Sequence, residues 1–250
     1  MALIFALNLK KSYGRRLVVK GLSLKCWSGE IIGLLGRNGA GKTTTFQMIT
    51  GLLRPDSGRI FLDEENISHL TTPERASRGI TYLPQENSVF MKASVEGNIH
   101  LILEQIGISK KERAKKVQSL LDELGLLDLA RQSAHSLSGG ERRRLEIARS
   151  LAISPKFLLL DEPFTGIDPM TIMELQRIFL TLRKKNIGII LSDHNVRDTF
   201  RISDRAYIID DGEILIEGHP QEIASSKAAR EKFLGENFKL GAEIQLNLFD

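Results

Sequence analysis

The stretch "GEIIGLLGRNGAGKTTTFQMIT", Gly29 to Thr50, decides the fold. Its first half is an apolar run that ends on glycine, which reads as a strand buried on both faces. From Ala40 the pattern turns helical, with Phe46, Ile49, Leu52 and Leu53 expected on one face and "RPDSG" as the stop. Between the two halves, "GRNGAGKTT" at Gly36 to Thr44 matches the spacing G-x-x-x-x-G-K-[ST]. Glycines let such a loop wrap tightly enough for successive N–H groups to face an anion, and the helix N-terminus adds partial positive charge. Gly36, Arg37, Asn38, Gly39, Ala40, Gly41 and Thr44 then form a nucleotide-phosphate cradle. Lys42 should reach the β- and γ-phosphates, and Thr43 should hold Mg²⁺ through its hydroxyl.

Working outward, "LIFALNLKKSY" and "LVVKGLSLKCW" read as strands before the loop, and "GRIFLDEENI" and "GITYLPQ" follow it. A long helical region, roughly Ser94 to Arg131, reads as an inserted helical subdomain. From Pro155 strand and helix alternate again: "KFLLLDEP", "TIMELQRIFLTLRKK", "IGIILSDH", "VRDTFRIS", and a hairpin around Asp211-Gly212. Strands rich in Leu and Ile imply an α/β fold with a mainly parallel sheet covered on both faces. The tail from Ser226, "KAAREKFLGENFKLGAEIQLNLFD", has no obvious place in that sheet and is expected to dock on the core or on a partner.

The length of 250 residues suits one large α/β domain, or a core with a smaller insert. The single cysteine, Cys26, excludes a disulfide framework and reads as a part-buried thiol in a reducing compartment. The start "MALIFALNLKKSYG" is too short an apolar run for a membrane span and lacks the features of a signal peptide, so a cytoplasmic location is expected. A formal charge of +4 with acids and bases interspersed does not call for a nucleic-acid partner.

The apolar strand "FLLLDEP" delivers Asp161 and Glu162 to its C-terminal edge, where α/β sheets present their ligands. Alone, adjacent acids after a strand could be a solvated turn. Beside a phosphate loop, Asp161 reads as a Mg²⁺ carboxylate and Glu162 as the group that activates the attacking water. Phosphoryl transfer asks chiefly for positioning and charge stabilisation, so further polar groups should ring the γ-phosphate. Gln85 in "YLPQE" and His194 in "ILSDHN" sit at the ends of predicted strands, at the same edge of one sheet, and fit that need, although each alone would pass for a surface polar residue. Thr43, Gln85 and Asp161 are the candidate metal ligands. Tyr13, in the turn of "KKSYGRR", is the candidate ring for stacking adenine, with a packed turn tyrosine as the alternative.

A second glycine corner, "LSGGERRRLEIAR" at Leu137 to Arg149, opens another helix. With the phosphate loop, Gln85, "LSGGE", "LLLDEP", "GIDP" and His194 in this order, the chain resembles the ATP-binding cassette ATPases over essentially its whole length. That resemblance implies a RecA-like core, an antiparallel β subdomain and an inserted helical subdomain. It places the cassette domain at 1–238, with core segments 1–85 and 156–225, the helical subdomain at 86–155, and a tail at 226–250. It also implies MgATP, a second copy of the chain paired head to tail, and two integral membrane subunits through which the chain reaches the cytoplasmic face of the inner membrane. Ser138, Gly139 and Gly140 would then close over the partner copy's γ-phosphate, and Asp168 would lie at the seam. One phosphate loop and one such corner per chain are what a symmetric pair completes twice over. "ERRRLEIAR", "DHNVRDT" and the tail "FLGENFKL" are similar to the branch that exports lipopolysaccharide. Importers of branched-chain amino-acid type are the near alternative, and cassettes acting in translation or repair are the distant one. Arg37 departs from the proline that such loops often carry. Phe90 in "ENSVFMKAS" reads either as core of the insert or as lining for a groove that accepts a membrane partner.

Overall fold

In the computed structural model, which describes residues 1–240, β3 (Ile31–Gly36) is buried along its whole length. It runs parallel to β8 (Gly188–Ser192) on one side and β9 (Arg205–Asp210) on the other. β7 (Phe157–Asp161) continues the parallel sheet beyond β8, and β6 (Ile80–Leu83) closes that edge. The hairpin strand β10 (Glu213–Gly218), antiparallel to β9, closes the other edge, in the order β10-β9-β3-β8-β7-β6. A second, antiparallel sheet holds β2 (Arg16–Trp27), β1 (Leu3–Tyr13), β4 (Ser57–Leu62) and β5 (Glu65–Asn66) in that order. The central strands are apolar without alternation because both of their faces are covered.

α1 (Lys42–Thr50) leaves β3 directly and packs between the two sheets, where Phe46, Met48 and Ile49 join Ile4, Leu24, Leu34 and Phe157 in one core. Truncating a ring as fully buried as Phe46 to alanine would cost about 3–5 kcal/mol. Leu52 does not share that face. Gly51 turns left-handed at φ 79° and ends the helix, leaving Leu52 56% exposed, while Leu53 packs at the core margin. α2 (Thr72–Ser77) supplies the fully buried Arg75, whose guanidinium donates to the Met48 and Ile49 carbonyls at the end of α1 and to those of Ser68 and Leu70.

Between β6 and β7 the expected helical region divides into α3 (Val95–Gln105) and α4 (Lys110–Glu123), separated by a turn in which Gly107 adopts φ 77°. α5 (Gly139–Leu151) follows, and the inner faces of all three join the core on the other side of the parallel sheet. α6 (Pro169–Lys184) and α7 (Val196–Ile202) complete the cover. Cys26 is fully buried, and burial pushes its thiol pKa well up, so it is an unreactive core residue. After α8 (Pro220–Ser225) and the short α9 (Lys227–Ala229), the tail docks on the core: Phe238 meets Phe200 edge to face, with ring centroids 6.3 Å apart. The last stretch read as tail, 241–250, lies outside the described residues.

Candidate active site

The strand order β3-β8-β7-β6 assembles the site. The C-terminal ends of these neighbouring parallel strands carry the phosphate loop, Asp193-His194, Asp161-Glu162 and, two residues beyond β6, Gln85. Residues up to 158 positions apart therefore converge on one edge. A cleft of about 310 Å³ is lined by Val18, Asn38, Gly39, Gly41, Lys42, Thr43, Thr44, Gln85, Glu162 and His194. A cavity beside it brings Thr43, Gln85 and Asp161 together with Tyr82 and Gln47.

Gly36 has no room for a side chain, since a Cβ there would lie 2.4 Å from the Ile209 carbonyl oxygen. Gly41, the residue before α1, sits at φ 107° and leaves the helix N-terminus without a side-chain cap. Gly41, Lys42, Thr43 and Thr44 of this helix start line the cleft. Lys42 is almost buried and donates to the Gly36 and Arg37 carbonyls at 2.8 and 3.2 Å. Burial lowers its pKa, opposed by the nearby Glu162, Asp161 and Asp193 carboxylates. Thr43 is exposed beside it and lines both cavities.

Glu162 has φ 49°, a left-handed backbone conformation costly for a non-glycine residue and common where a site over-determines the chain. Its N–H donates to the Ser192 carbonyl at 2.8 Å. Its carboxylate is gripped from three sides: Oε1 lies 2.6 Å from His194 Nε2, and Oε2 accepts from Gln85 Nε2 at 2.7 Å and from Thr165 Oγ1 at 3.2 Å. Asp161 is fully buried, with its oxygens taken by the Ser192 hydroxyl at 2.5 Å and the Tyr82 hydroxyl at 3.1 Å. Burial, reinforced by the Asp161 carboxylate, pushes the Tyr82 pKa up and keeps it a donor. Asp193 is likewise buried; it accepts from the Phe164 and Asn195 N–H groups and thereby ties the loop after β7 to the start of α7. Desolvation raises its pKa.

Tyr82 and Ser192 were not legible as site residues, because each holds an acid brought to it by the sheet; Thr165 reaches Glu162 from within its own loop, and Asp193 acts on backbone N–H groups. The contacts of "ERRRLEIAR" were not legible either. Arg143 and Glu146 form a buried ion pair at 2.8 Å, and Arg143 also donates to the Asp161 and Pro84 carbonyls. Glu146 accepts from the Ser88 N–H at 2.9 Å, while Arg149 donates to the Ser88 carbonyl and lies 4.6 Å over the Phe90 ring. α5 thus grips the segment that carries Gln85. Phe90 itself is half exposed.

Tyr13 is the last residue of β1, paired with Arg16, and half exposed; it does not line the cleft. Its hairpin nevertheless borders the phosphate loop, for a Cβ on Gly39 would meet the Arg16 guanidinium at 3.8 Å. Ser138, Gly139, Gly140 and Asp168 also lie away from the phosphate loop of their own chain. Ser138 caps α5 in a box with Glu141: its N–H and hydroxyl donate to the Glu141 carboxylate at 2.8 and 2.7 Å. Asp168 caps α6, accepting from the Thr171 N–H and hydroxyl at 3.0 and 2.7 Å.

Oxygen donors of hydroxyl, amide and carboxylate type on one cavity suit a hard cation that keeps waters and phosphate oxygens as further ligands. No helix of the described residues is long and apolar enough to cross a membrane.

Comparison with known proteins agrees with this geometry. Residues 19–165 match the family model described as ABC transporter. The chain is 51% identical over 238 residues to the lipopolysaccharide export system ATP-binding protein LptB of Acidithiobacillus ferridurans, covering 95% of this chain and 99% of that one. It is 46% identical over 241 residues to the protein of the same name from Escherichia coli K12, covering 96% and 100%. Among solved structures, the ADP conformation of MJ1267, an ATP-binding cassette of an ABC transporter, superposes with a TM-score of 0.83 at 26% identity, covering 94% of this chain and 100% of that one. On the strength of the family match and these near full-length relatives, the chain belongs to the ABC transporter family, as one of its ATP-hydrolysing subunits.

Proposed function

We propose that this chain is the motor of lipopolysaccharide export, working as a head-to-tail pair beneath two integral membrane subunits at the cytoplasmic face of the inner membrane. Identity of 46–51% along 95–96% of the chain to proteins named for that export system supports the cargo. The cleft in which Glu162 faces the phosphate loop carries the chemistry.

In this reading the loop N–H groups and Lys42 bind the β- and γ-phosphates. Thr43, Gln85 and Asp161 hold Mg²⁺, which supplies charge neutralisation on the phosphate oxygens when bound. Tyr82 and Ser192 keep the Asp161 carboxylate aimed at that position. Glu162 takes the proton of the attacking water as its oxygen bonds to the γ-phosphorus and the bond to the ADP oxygen breaks. Gln85, His194 and Thr165 hold Glu162 in place for that transfer, and the water must displace one of them. Ser138, Gly139 and Gly140 of the second copy close over the γ-phosphate, with Asp168 at the seam and Tyr13 against the adenine. ATP then draws two chains together because it contacts both only in the closed pair, and hydrolysis removes the bridge. Segment 86–155 transmits the movement through the grip of α5 on the Gln85 segment.

The test is ATP-dependent release of lipopolysaccharide from vesicles holding the intact membrane complex purified through this chain. Release should require ATP and stop with Glu162→Gln. Release unaffected by that variant would sink the cargo assignment, even if ATP turnover were lost.

A further inference from the structure

Gly140 is read above as an anion contact, yet its lack of a side chain has a second cause inside the same chain. A Cβ on Gly140 would lie 2.5 Å from Thr171 Cγ2 and 3.1 Å from Thr171 Oγ1. The methyl of Thr171 therefore occupies the notch that the glycine leaves. The rotamer that puts the methyl there also aims the hydroxyl at Asp168, to which Thr171 Oγ1 donates at 2.7 Å, while the Thr171 N–H donates to the other carboxylate oxygen at 3.0 Å. A β-branched side chain holds few χ1 states, so a single rotamer of Thr171 makes both contacts. Neighbouring contacts keep the helices in this register: Ile167 Cδ1 lies 3.9 Å from where a Gly139 Cβ would be, and Arg144 pairs with Glu174 one turn further along α5 and α6.

We infer that Thr171 is a positioning residue that locks the Ser138–Gly140 corner and Asp168 in one spatial register, so that both reach a second copy's nucleotide as one rigid surface. This rests on the head-to-tail pairing proposed above. Thr171 does not line the cleft of its own chain, so its loss should spare binding by the single chain and weaken only the closure of two chains.

The experiment compares Thr171→Val, Thr171→Ala and Thr171→Ser in a Glu162→Gln background. ATP-driven dimerisation is followed by sedimentation, nucleotide affinity by titration at chain concentrations too low to dimerise, and folding by thermal melting. Thr171→Val keeps the shape and loses the hydroxyl donor; it should raise the ATP concentration needed for dimerisation about fivefold, the scale of one lost hydrogen bond. Thr171→Ala should raise it further, and Thr171→Ser should restore most of it, with single-chain affinity unchanged in all three. In the hydrolysing chain the same variants should lower turnover at a fixed ATP concentration in the same order, Thr171→Ala most and Thr171→Ser least. A Glu162→Gln parent that dimerises, with Thr171→Val and Thr171→Ala dimerising equally well, overturns this inference alone. A parent that does not dimerise with ATP overturns the head-to-tail reading and this inference with it. Should Thr171→Val melt early, the Thr171→Ser against Thr171→Ala comparison decides in the same way.

Discussion

The two glycine corners look alike in sequence and differ in what their donors already do. At Gly41 the helix start has no side-chain cap, and Lys42 rests on carbonyls of its own loop. At Ser138 the helix start is sealed by Glu141, which takes both the N–H and the hydroxyl of Ser138 and whose pKa falls through those bonds. An uncapped helix terminus leaves orphan N–H groups that a phosphate can satisfy. The capping box takes the Ser138 and Glu141 N–H groups, which orders the corner and leaves the Gly139 and Gly140 N–H groups for an anion. The phosphate loop is thus built to bind nucleotide on its own, whereas the second corner is suited to be delivered, already ordered, to a phosphate held elsewhere.

The largest expected effect removes the chemistry and leaves both corners intact. Glu162→Gln should cut turnover by about 10²- to 10⁴-fold while ATP binding survives, as read by steady-state hydrolysis and nucleotide titration. Turnover near the parent value would remove Glu162 as the base. Next, Lys42→Ala strikes the open cradle and should weaken both nucleotide affinity and hydrolysis, the latter by about 10²- to 10³-fold, the scale of losing one preorganised donor. Affinity unchanged by this variant would break the contrast, for the cradle would not depend on its lysine.

Ser138→Ala strikes the sealed corner and should lower turnover by about 10-fold or more with single-chain nucleotide affinity intact, while costing about 1 kcal/mol of stability through the lost cap. In mixed pairs of one Ser138→Ala chain and one Lys42→Ala chain, both defects fall on different sites or on the same site according to whether the corner acts in cis or in trans. Residual turnover at the level of a pair with one damaged site, rather than two, would support trans action; the opposite level would end it. The smallest effect belongs to Glu141→Ala, which opens half of the capping box. It should lower melting stability by about 0.5–1 kcal/mol and change turnover only slightly. A large loss of hydrolysis would make Glu141 more than a cap.

Legibility followed locality. The phosphate loop could be read because strand, loop and helix are contiguous, and a glycine-rich loop between a buried strand and a helix has few other uses. Asp161 and Glu162 could be read from the strand that delivers them. By contrast, Tyr82 lies 79 positions from the carboxylate it holds and Ser192 lies 31, so only the β6-β7-β8 pairing identifies them. Arg143 and Glu146 look in sequence like one more charged pair on a helix surface. In the fold they are 8% and 4% exposed, and hold the segment between Pro84 and Ser88. Leu52 fits a helical apolar face until Gly51 stops the helix one residue earlier.

By itself, the sequence determined the kind of site, since phosphate binding needs bare N–H groups at a helix start and a lysine at one offset, and these are written within nine residues, Gly36 to Thr44. It also determined a parallel sheet covered on both faces, through strands with no polar side. Only the tertiary structure decided which groups hold the catalytic acids, which charges are buried, and why Gly140 must be bare. Those depend on which strands and helices lie side by side, and side-chain contacts across 30 to 80 positions leave no periodic mark along the chain.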